Sequence, residues 1–249
     1  MPHRLYALDF DGVICNSAVE TGITGWKVAS SLWSDMPDTM PEHISELFRQ
    51  VRPVMETGYE AILIVRILFE GSSAQRLLTN FSHLISQLLR RDQLNSDELK
   101  QQFGQTRDHW INENINEWIA MNPLFNGIAD KLQQIESSQC YIITTKQERF
   151  VHQILQANSI SVPEQHVYGL DRGLSKQHIL ADLLATHPQQ SILFVEDRLP
   201  TLSNVISDSR LANVELYFAD WGYNTEQDKK IAATTTKINT LSLSDMMTL

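Results

Sequence analysis

Leu8-Asp9-Phe10-Asp11-Gly12-Val13 (LDFDGV) completes the short apolar run Leu5 to Leu8 and turns it abruptly polar. An apolar run that ends in two acids and a glycine reads as a buried strand emptying into a loop. In an open parallel sheet, ligands bind beyond the carboxyl ends of the strands. The decisive question is whether the rest of the chain supplies more strands that end the same way.

Immediately downstream it supplies none. Ser17 with Glu20 has the spacing of a capping box, which predicts a helix starting just after Cys15. From there to about Met121 no segment reads as a strand. Segments 42–51, 58–70, 74–91, 96–104 and 106–121 show helical spacing, with Pro37, Pro41 and Pro53 as punctuation. Leu77, Leu78, Phe81, Leu84, Ile85, Leu88 and Leu89 follow the i, i+3, i+4, i+7 pattern closely.

After Asn122-Pro123 the rhythm changes. Residues 126–137 read as a helix and Tyr141 to Ile143 as a strand. Residues 147–158 read as a helix, Val167-Tyr168 as a short strand and 175–186 as a helix. Ile192 to Val195 is a strand, 199–208 a helix and Glu215 to Ala219 a strand; the Thr/Ser-rich tail from Ala232 ends in a short helix. This alternation predicts an α/β fold, a Rossmann-like parallel sheet with helices on both faces. The expected organisation is an α/β core over 1–15 and 122–249, split by an all-helical insert over 16–121.

Composition sets further bounds. The 249 residues are 42% hydrophobic and 20% charged, ordinary for a globular chain with a sizeable core. The net charge of −10 and the lack of a basic cluster speak against binding nucleic acid. Two cysteines, Cys15 and Cys140, make neither a disulfide framework nor a metal-ligand spacing. The stretch MPHRLYALDF has no extended apolar segment before its first acid, so no secretory signal is expected. The apolar stretch Ala61 to Phe69, interrupted by Arg66, is too short to span a bilayer. A cytoplasmic protein with no membrane association is the expectation.

Each strand end carries chemistry. Asp9, Phe10, Asp11 and Gly12 follow the first strand; Thr144, Thr145 and Lys146 follow Ile142-Ile143. Ser175 and Lys176 precede the 175–186 helix, and Glu196 and Asp197 follow the strand at Val195. Carboxylates, a hydroxyl and an ammonium would thus gather at one edge. That grouping suits phosphate-ester chemistry. A dianionic phosphate repels a carboxylate nucleophile unless a divalent cation on hard oxygen ligands offsets the charge. A carboxylate can then attack phosphorus and divide one hard step into two. A second acid must protonate the leaving oxygen and later activate water. A hydroxyl and an ammonium can stabilise the transferring group.

Taken in order, LDFDGV, IITT (142–145), LSK (174–176) and FVED (194–197) resemble the four motifs of the haloacid dehalogenase-like hydrolase superfamily, and the insert resembles its C1-type cap. The resemblance implies roles. Asp9 would be the nucleophile and a magnesium ligand. Asp11 would be the general acid/base, with its backbone carbonyl on the metal. Thr144 would bond the phosphoryl group, and Lys176 would steady the nucleophile. Asp197 would be a metal ligand. Backbone N–H groups near Phe10, Gly12 and Thr145 would complete a phosphate cradle. The expected activity is magnesium-dependent hydrolysis of a small phosphorylated metabolite, phosphoglycolate-like or a sugar phosphate, through an aspartyl-phosphate on Asp9. Members that cleave carbon–halogen bonds lack an acid in the place of Asp11, because halide needs no proton to leave.

Two other readings compete: a phosphomutase of the same fold, and a binding protein that kept the fold and lost catalysis. Glu196 stands where the family pattern has glycine, and Thr201 and Leu202 stand where a later acid is common. Glu196 therefore reads either as a second metal contact or as a structural partner of Arg198. Arg52 reads either as a grip for a substrate carboxylate or second phosphate, or as a helix cap or ion-pair partner. Lys146 reads equally as a surface charge or a substrate contact. Trp26, Trp33, Trp110 and Trp118 read as packing residues. Trp221-Gly222-Tyr223, after the last core strand, reads as structural.

Overall fold

The computed structural model describes residues 4–249. Met1, Pro2 and His3, part of the stretch read as lacking a secretory signal, lie outside the described residues. The chain forms two compact units, 1–16 with 123–249, and 17–122.

The first unit opens with β1 (Arg4–Leu8). The second unit holds α1 (Ala18–Leu32), α2 (Glu42–Val51), α3 (Glu60–Phe69), α4 (Ala74–Arg91) and α5 (Ser96–Ala120). The first unit then resumes with α6 (Ile128–Gln134), β2 (Cys140–Ile143), α7 (Glu148–Ala157), β3 (Val167–Tyr168) and α8 (Lys176–Thr186). It ends with β4 (Ser191–Glu196), α9 (Leu199–Ser207), β5 (Val214–Ala219), α10 (Glu226–Thr234), β6 (Ile238–Leu241) and α11 (Leu243–Met246).

Among the described residues, six strands pair in parallel, in the order β3-β2-β1-β4-β5-β6. From β1 the chain builds one side of the sheet through β2 and β3, then crosses to build the other through β4. The order reverses between β1 and β4, where such sheets bind ligands. Register then fixes which residues meet there. Leu8 stands beside Ile142 on one side and Val195 on the other, so Asp9 comes level with Ile143 and Glu196. On one face, Leu5, Ala7, Tyr141, Ile143, Ile192 and Phe194 pack with Leu180 and Leu183 of α8 and Leu202 and Val205 of α9. On the other, the Lys131 ammonium of α6 lies 5.7 Å from the Tyr6 ring centre.

Between the two units' segments, the chain's departure and return are clamped together within the first unit. Asn16 N donates to Pro123 O at 2.8 Å, and Phe125 N donates to Ile14 O at 3.1 Å.

In the helical unit, Ala61, Ile62, Leu63, Ile64, Val65, Ile67 and Leu68 of α3 are buried. A helix apolar nearly all round is a central helix, which accounts for the apolar stretch noted in the sequence. Among the described residues, no helix is long and apolar enough to cross a membrane. The tryptophans do pack, and each indole N–H also finds an acceptor: Pro37 O for Trp26, Asp92 for Trp33, Glu117 for Trp110 and Glu20 for Trp118.

Three sequence expectations change. The Ser17–Glu20 capping box does not form: α1 starts there, but Ser17 makes no side-chain capping bond. Glu20 is drawn instead to Arg107, whose Nε and Nη2 lie 2.7 and 2.6 Å from its two oxygens. Thr24 Oγ1 and Trp118 Nε1 add bonds of 2.7 and 3.1 Å to the same carboxylate. A buried bidentate guanidinium, a charge-assisted partner, outweighs one backbone N–H. Second, the two expected helices, 96–104 and 106–121, meet further along: α5 runs unbroken past residue 105 and kinks only at Asn114. Its backbone breaks at Asn114 (φ −154°, ψ 81°), where Asn114 Oδ1 accepts from Glu117 N and restarts the helix. Third, a further helix, α10, leads into the tail, and the tail holds a sixth strand before the short final helix. Thr225 and Asp228 form a reciprocal capping box for α10, and β6 is an edge strand with only its two end residues buried.

The Glu20–Arg107 pair yields a test. Arg107→Met leaves the Glu20 carboxylate buried without its cation, and removing one partner of a buried pair costs about 3–5 kcal/mol. Denaturant unfolding should show that loss. The double variant Glu20→Leu/Arg107→Met should recover part of it, because no unpaired charge then remains.

Candidate active site

The site assembles from four strand ends. Asp9 leaves β1 with its N–H donated to Val195 O at 2.9 Å, so the backbone still follows the sheet as the side chain becomes polar. Ser175 caps α8 by accepting from His178 N at 3.2 Å, which makes Lys176 the first helical residue. Its ammonium lies 2.7 Å from Asp9 Oδ1 and 2.7 Å from Glu196 Oε2. The other oxygen of Glu196 accepts from Arg198 N at 2.9 Å. Glu196 therefore does partner Arg198, through the backbone N–H.

Asp197 is buried and held by the loop after β5. Tyr223 N donates to Asp197 Oδ2 at 2.6 Å. Trp221 Nε1 donates to Val13 O at 3.2 Å, and the Tyr223 hydroxyl to Asn16 Oδ1 at 3.1 Å. The WGY segment is structural, as read, but what it supports is the site itself. Gly222 is required by closeness: a Cβ there would lie 2.5 Å from Gly12 O and 2.7 Å from Asp197 Oδ2. Gly12 has φ +95°, and a Cβ on it would collide with the Asp197 carboxylate.

Electrostatics follow from burial. Removal from water raises the Asp9 carboxyl, Lys176 pulls it down and the charges of Glu196 and Asp11 add to the rise; together they leave it at about 7. Burial also works against the Lys176 charge, but Asp9 and Glu196 outweigh it and hold the ammonium above its usual range. The Asp9, Glu196 and Asp197 carboxylates each offer an oxygen, all within 4.8 Å of one another. Three hard oxygen donors so placed fit a magnesium ion, with Lys176 offsetting part of their charge.

The second acid has a partner that the sequence left undecided. Lys146 is neither a surface charge nor open to solvent: its side chain is fully buried, with Nζ 3.0 Å from Asp11 Oδ1. Its backbone N–H donates to Thr144 Oγ1 at 3.1 Å, and Thr144 N donates to Tyr168 O at 2.9 Å. Phe10 is buried, its ring centre 6.0 Å from the Lys146 ammonium. Thr145 is half-buried at the start of the same loop. The structure thus brings Asp9, Lys176, Glu196 and Asp197 together, and joins Asp11 to Thr144 through Lys146.

One expected site residue stands differently. The Gly12 N–H, expected in a phosphate cradle, already donates to Cys15 O at 2.9 Å, closing the turn after Asp11. Arg52 belongs to the helical unit, where it is buried and its Nη1 lies 3.4 Å from Met55 O. Burial leaves the Cys140 thiol pushed up to about 12, an inert sulfur.

No protein-family model matches the sequence. No curated protein matches it either. Solved structures do. A protein from Clostridium acetobutylicum, classed by prediction as a phosphatase, shares the fold with a TM-score of 0.58 at 13% identity, over 100% of this chain and 98% of that one. A protein from Lactobacillus delbrueckii subsp. bulgaricus, provisionally named a phosphoglycolate phosphatase, gives 0.59 at 11% identity, over 97% and 95%. A haloacid dehalogenase-like family hydrolase from Streptococcus pneumoniae gives 0.53 at 16% identity, over 100% and 98%. Identities this low speak for the fold alone. On the sheet order and these full-length likenesses, the chain has the fold of the haloacid dehalogenase-like hydrolases.

Proposed function

We propose that the protein is a magnesium-dependent phosphatase that hydrolyses a small phosphate monoester through an aspartyl-phosphate on Asp9. The observation that carries this reading is the buried carboxylate group of Asp9, Glu196 and Asp197, with the Lys176 ammonium 2.7 Å from two of them. It lies at the carboxyl ends of β1 and β4, the place this fold offers a ligand. The phosphatase names of two of the likenesses agree with it.

When bound, magnesium supplies charge neutralisation between the phosphate and the carboxylates. Asp9, Glu196 and Asp197 would hold it. Lys176 keeps Asp9 oriented and would add positive charge for the transferring oxygens. Asp9 then forms a bond to phosphorus while the bond to the leaving oxygen breaks, and Asp11 gives that oxygen its proton. Water attacks phosphorus next; the Asp9–phosphorus bond breaks and Asp11 takes the water's proton. Thr144 would bond the phosphoryl group. The helical unit, 17–122, is proposed as the cap that selects the substrate, phosphoglycolate-like or a sugar phosphate. The protein would work on soluble metabolites in the cytoplasm.

Phosphate release from a panel of monoesters with magnesium tests the reading. Asp9→Asn should lower turnover by at least about a thousandfold, since it removes the nucleophile. Full activity in that variant would end the assignment. A sugar 1-phosphate separates the mutase alternative, which would return an isomer in place of free phosphate.

A second test needs no substrate. The folded protein keeps a proton on Asp9 up to about pH 7, whereas an unfolded chain loses it near the ordinary value of 3.8. Between those limits the folded state binds more protons, so stability falls as pH rises through that window. Without divalent cation at about pH 8, Asp9→Asn should therefore be more stable than the wild type, by about 0.5–2 kcal/mol. Magnesium should then stabilise the wild type more than the variant. Thermal unfolding with and without the ion reads both differences.

A further inference from the structure

We infer that Lys146 is a positioning residue for the proton transfers of Asp11; the inference rests on the phosphatase reading above. Three observations lead to it. Lys146 is a lysine with a fully buried side chain, and its ammonium meets the Asp11 carboxylate at 3.0 Å. Burying an ammonium is costly unless a charge partner and hydrogen bonds offset it, so its place at this carboxylate demands a reason beyond packing. The segment carrying it is pinned on both sides. Lys146 N donates to Thr144 Oγ1, and Lys146 O accepts from Leu170 N at 3.1 Å. Gly169 permits that approach, because a Cβ there would lie 2.7 Å from Lys146 O and 2.9 Å from Glu148 N.

Asp11, by contrast, sits on the loop after β1 and keeps part of its side chain exposed. A carboxyl on a loop that must meet the leaving oxygen, and then a water, transfers protons well only when held within hydrogen-bond reach of each. Lys146 supplies that hold on Oδ1 from the loop after the neighbouring strand β2, which its own backbone hydrogen bonds pin in place. Lys176 serves Asp9 and Glu196 instead. Each aspartate of LDFDGV thus has its own lysine, one from the loop after β2 and one from the start of α8. Lys146 acts by holding Asp11 and is not itself the donor or acceptor of the proton that Asp11 moves.

The consequence is a dependence on leaving group. Phosphorylation of Asp9 needs Asp11's proton more as the leaving phenol becomes more basic. The test measures kcat/KM, which reports that first half-reaction, for 4-nitrophenyl, phenyl and 4-methoxyphenyl phosphate with the magnesium-loaded full chain. In Lys146→Met, kcat/KM for the phenyl and 4-methoxyphenyl esters should fall at least about tenfold further than for the 4-nitrophenyl ester, a part of the 10²–10⁴ that a placed general acid contributes. Lys146→Gln, which keeps a donor without the charge, should show the same ordering and serves if the Met variant does not fold. In an Asp11→Asn background, the same Lys146 change should cost little more on any ester, because its effect passes through Asp11. An equal fall on all three esters, or a full further loss in the Asp11→Asn background, would overturn the inference and leave the phosphatase reading standing. A wild type that releases phosphate from none of these esters and from no member of the monoester panel overturns both.

Discussion

The Lys176 ammonium, shared between Asp9 and Glu196, is the interaction on which the rest of the site depends. Three buried carboxylates within 4.8 Å of one another repel, and burial magnifies the repulsion. One cation among them makes the arrangement tolerable to the fold while leaving it short of positive charge. Burial first, and then the neighbouring acids, raise the Asp9 carboxyl despite that cation.

The parallel sheet is what brings those groups together. Register sets Asp9 level with Glu196 on the adjacent strand, and the reversal of strand order at β1 leaves a crevice there without a helix crossing it. The loop after β5 then reaches back to Asp197 and to the chain beyond Gly12. Two glycines allow that approach, at positions where any side chain would displace the acid. Lys146 and Lys176 come from the loop and helix that follow β2 and β3. The site is thus a joint product of strands far apart in sequence.

Much of this was legible before any coordinates. Strongly apolar strands between helical stretches announced the sheet, and acids at their ends announced the site, because both signals are local. What stayed hidden was what depends on distant partners. Glu20 has the right spacing to cap a helix, yet Arg107, on another helix, claims it. Lys146 follows two threonines in a way that fits an exposed loop equally well; only Asp11, on the loop after the neighbouring strand β1, shows where its ammonium goes. Strand β6 escaped because an edge strand with two buried residues has no apolar run to betray it. Gly12 was misjudged because its N–H closes a turn onto Cys15, a bond that composition cannot reveal.

The clamp joining Asn16 to Pro123 and Ile14 to Phe125 bears on how the chain finds its fold. Strand β1 is the centre of the sheet, yet its partners β2 and β4 begin only after the helical unit has been made. Closing a loop costs entropy that grows with the length of flexible chain, about 0.6 kcal/mol for each doubling. A helical unit that has already folded by itself turns that long flexible span into one short crossing. The clamp is then a kinetic seam: once 17–122 is compact, the strand at the start of the chain lies within reach of strands more than a hundred residues away.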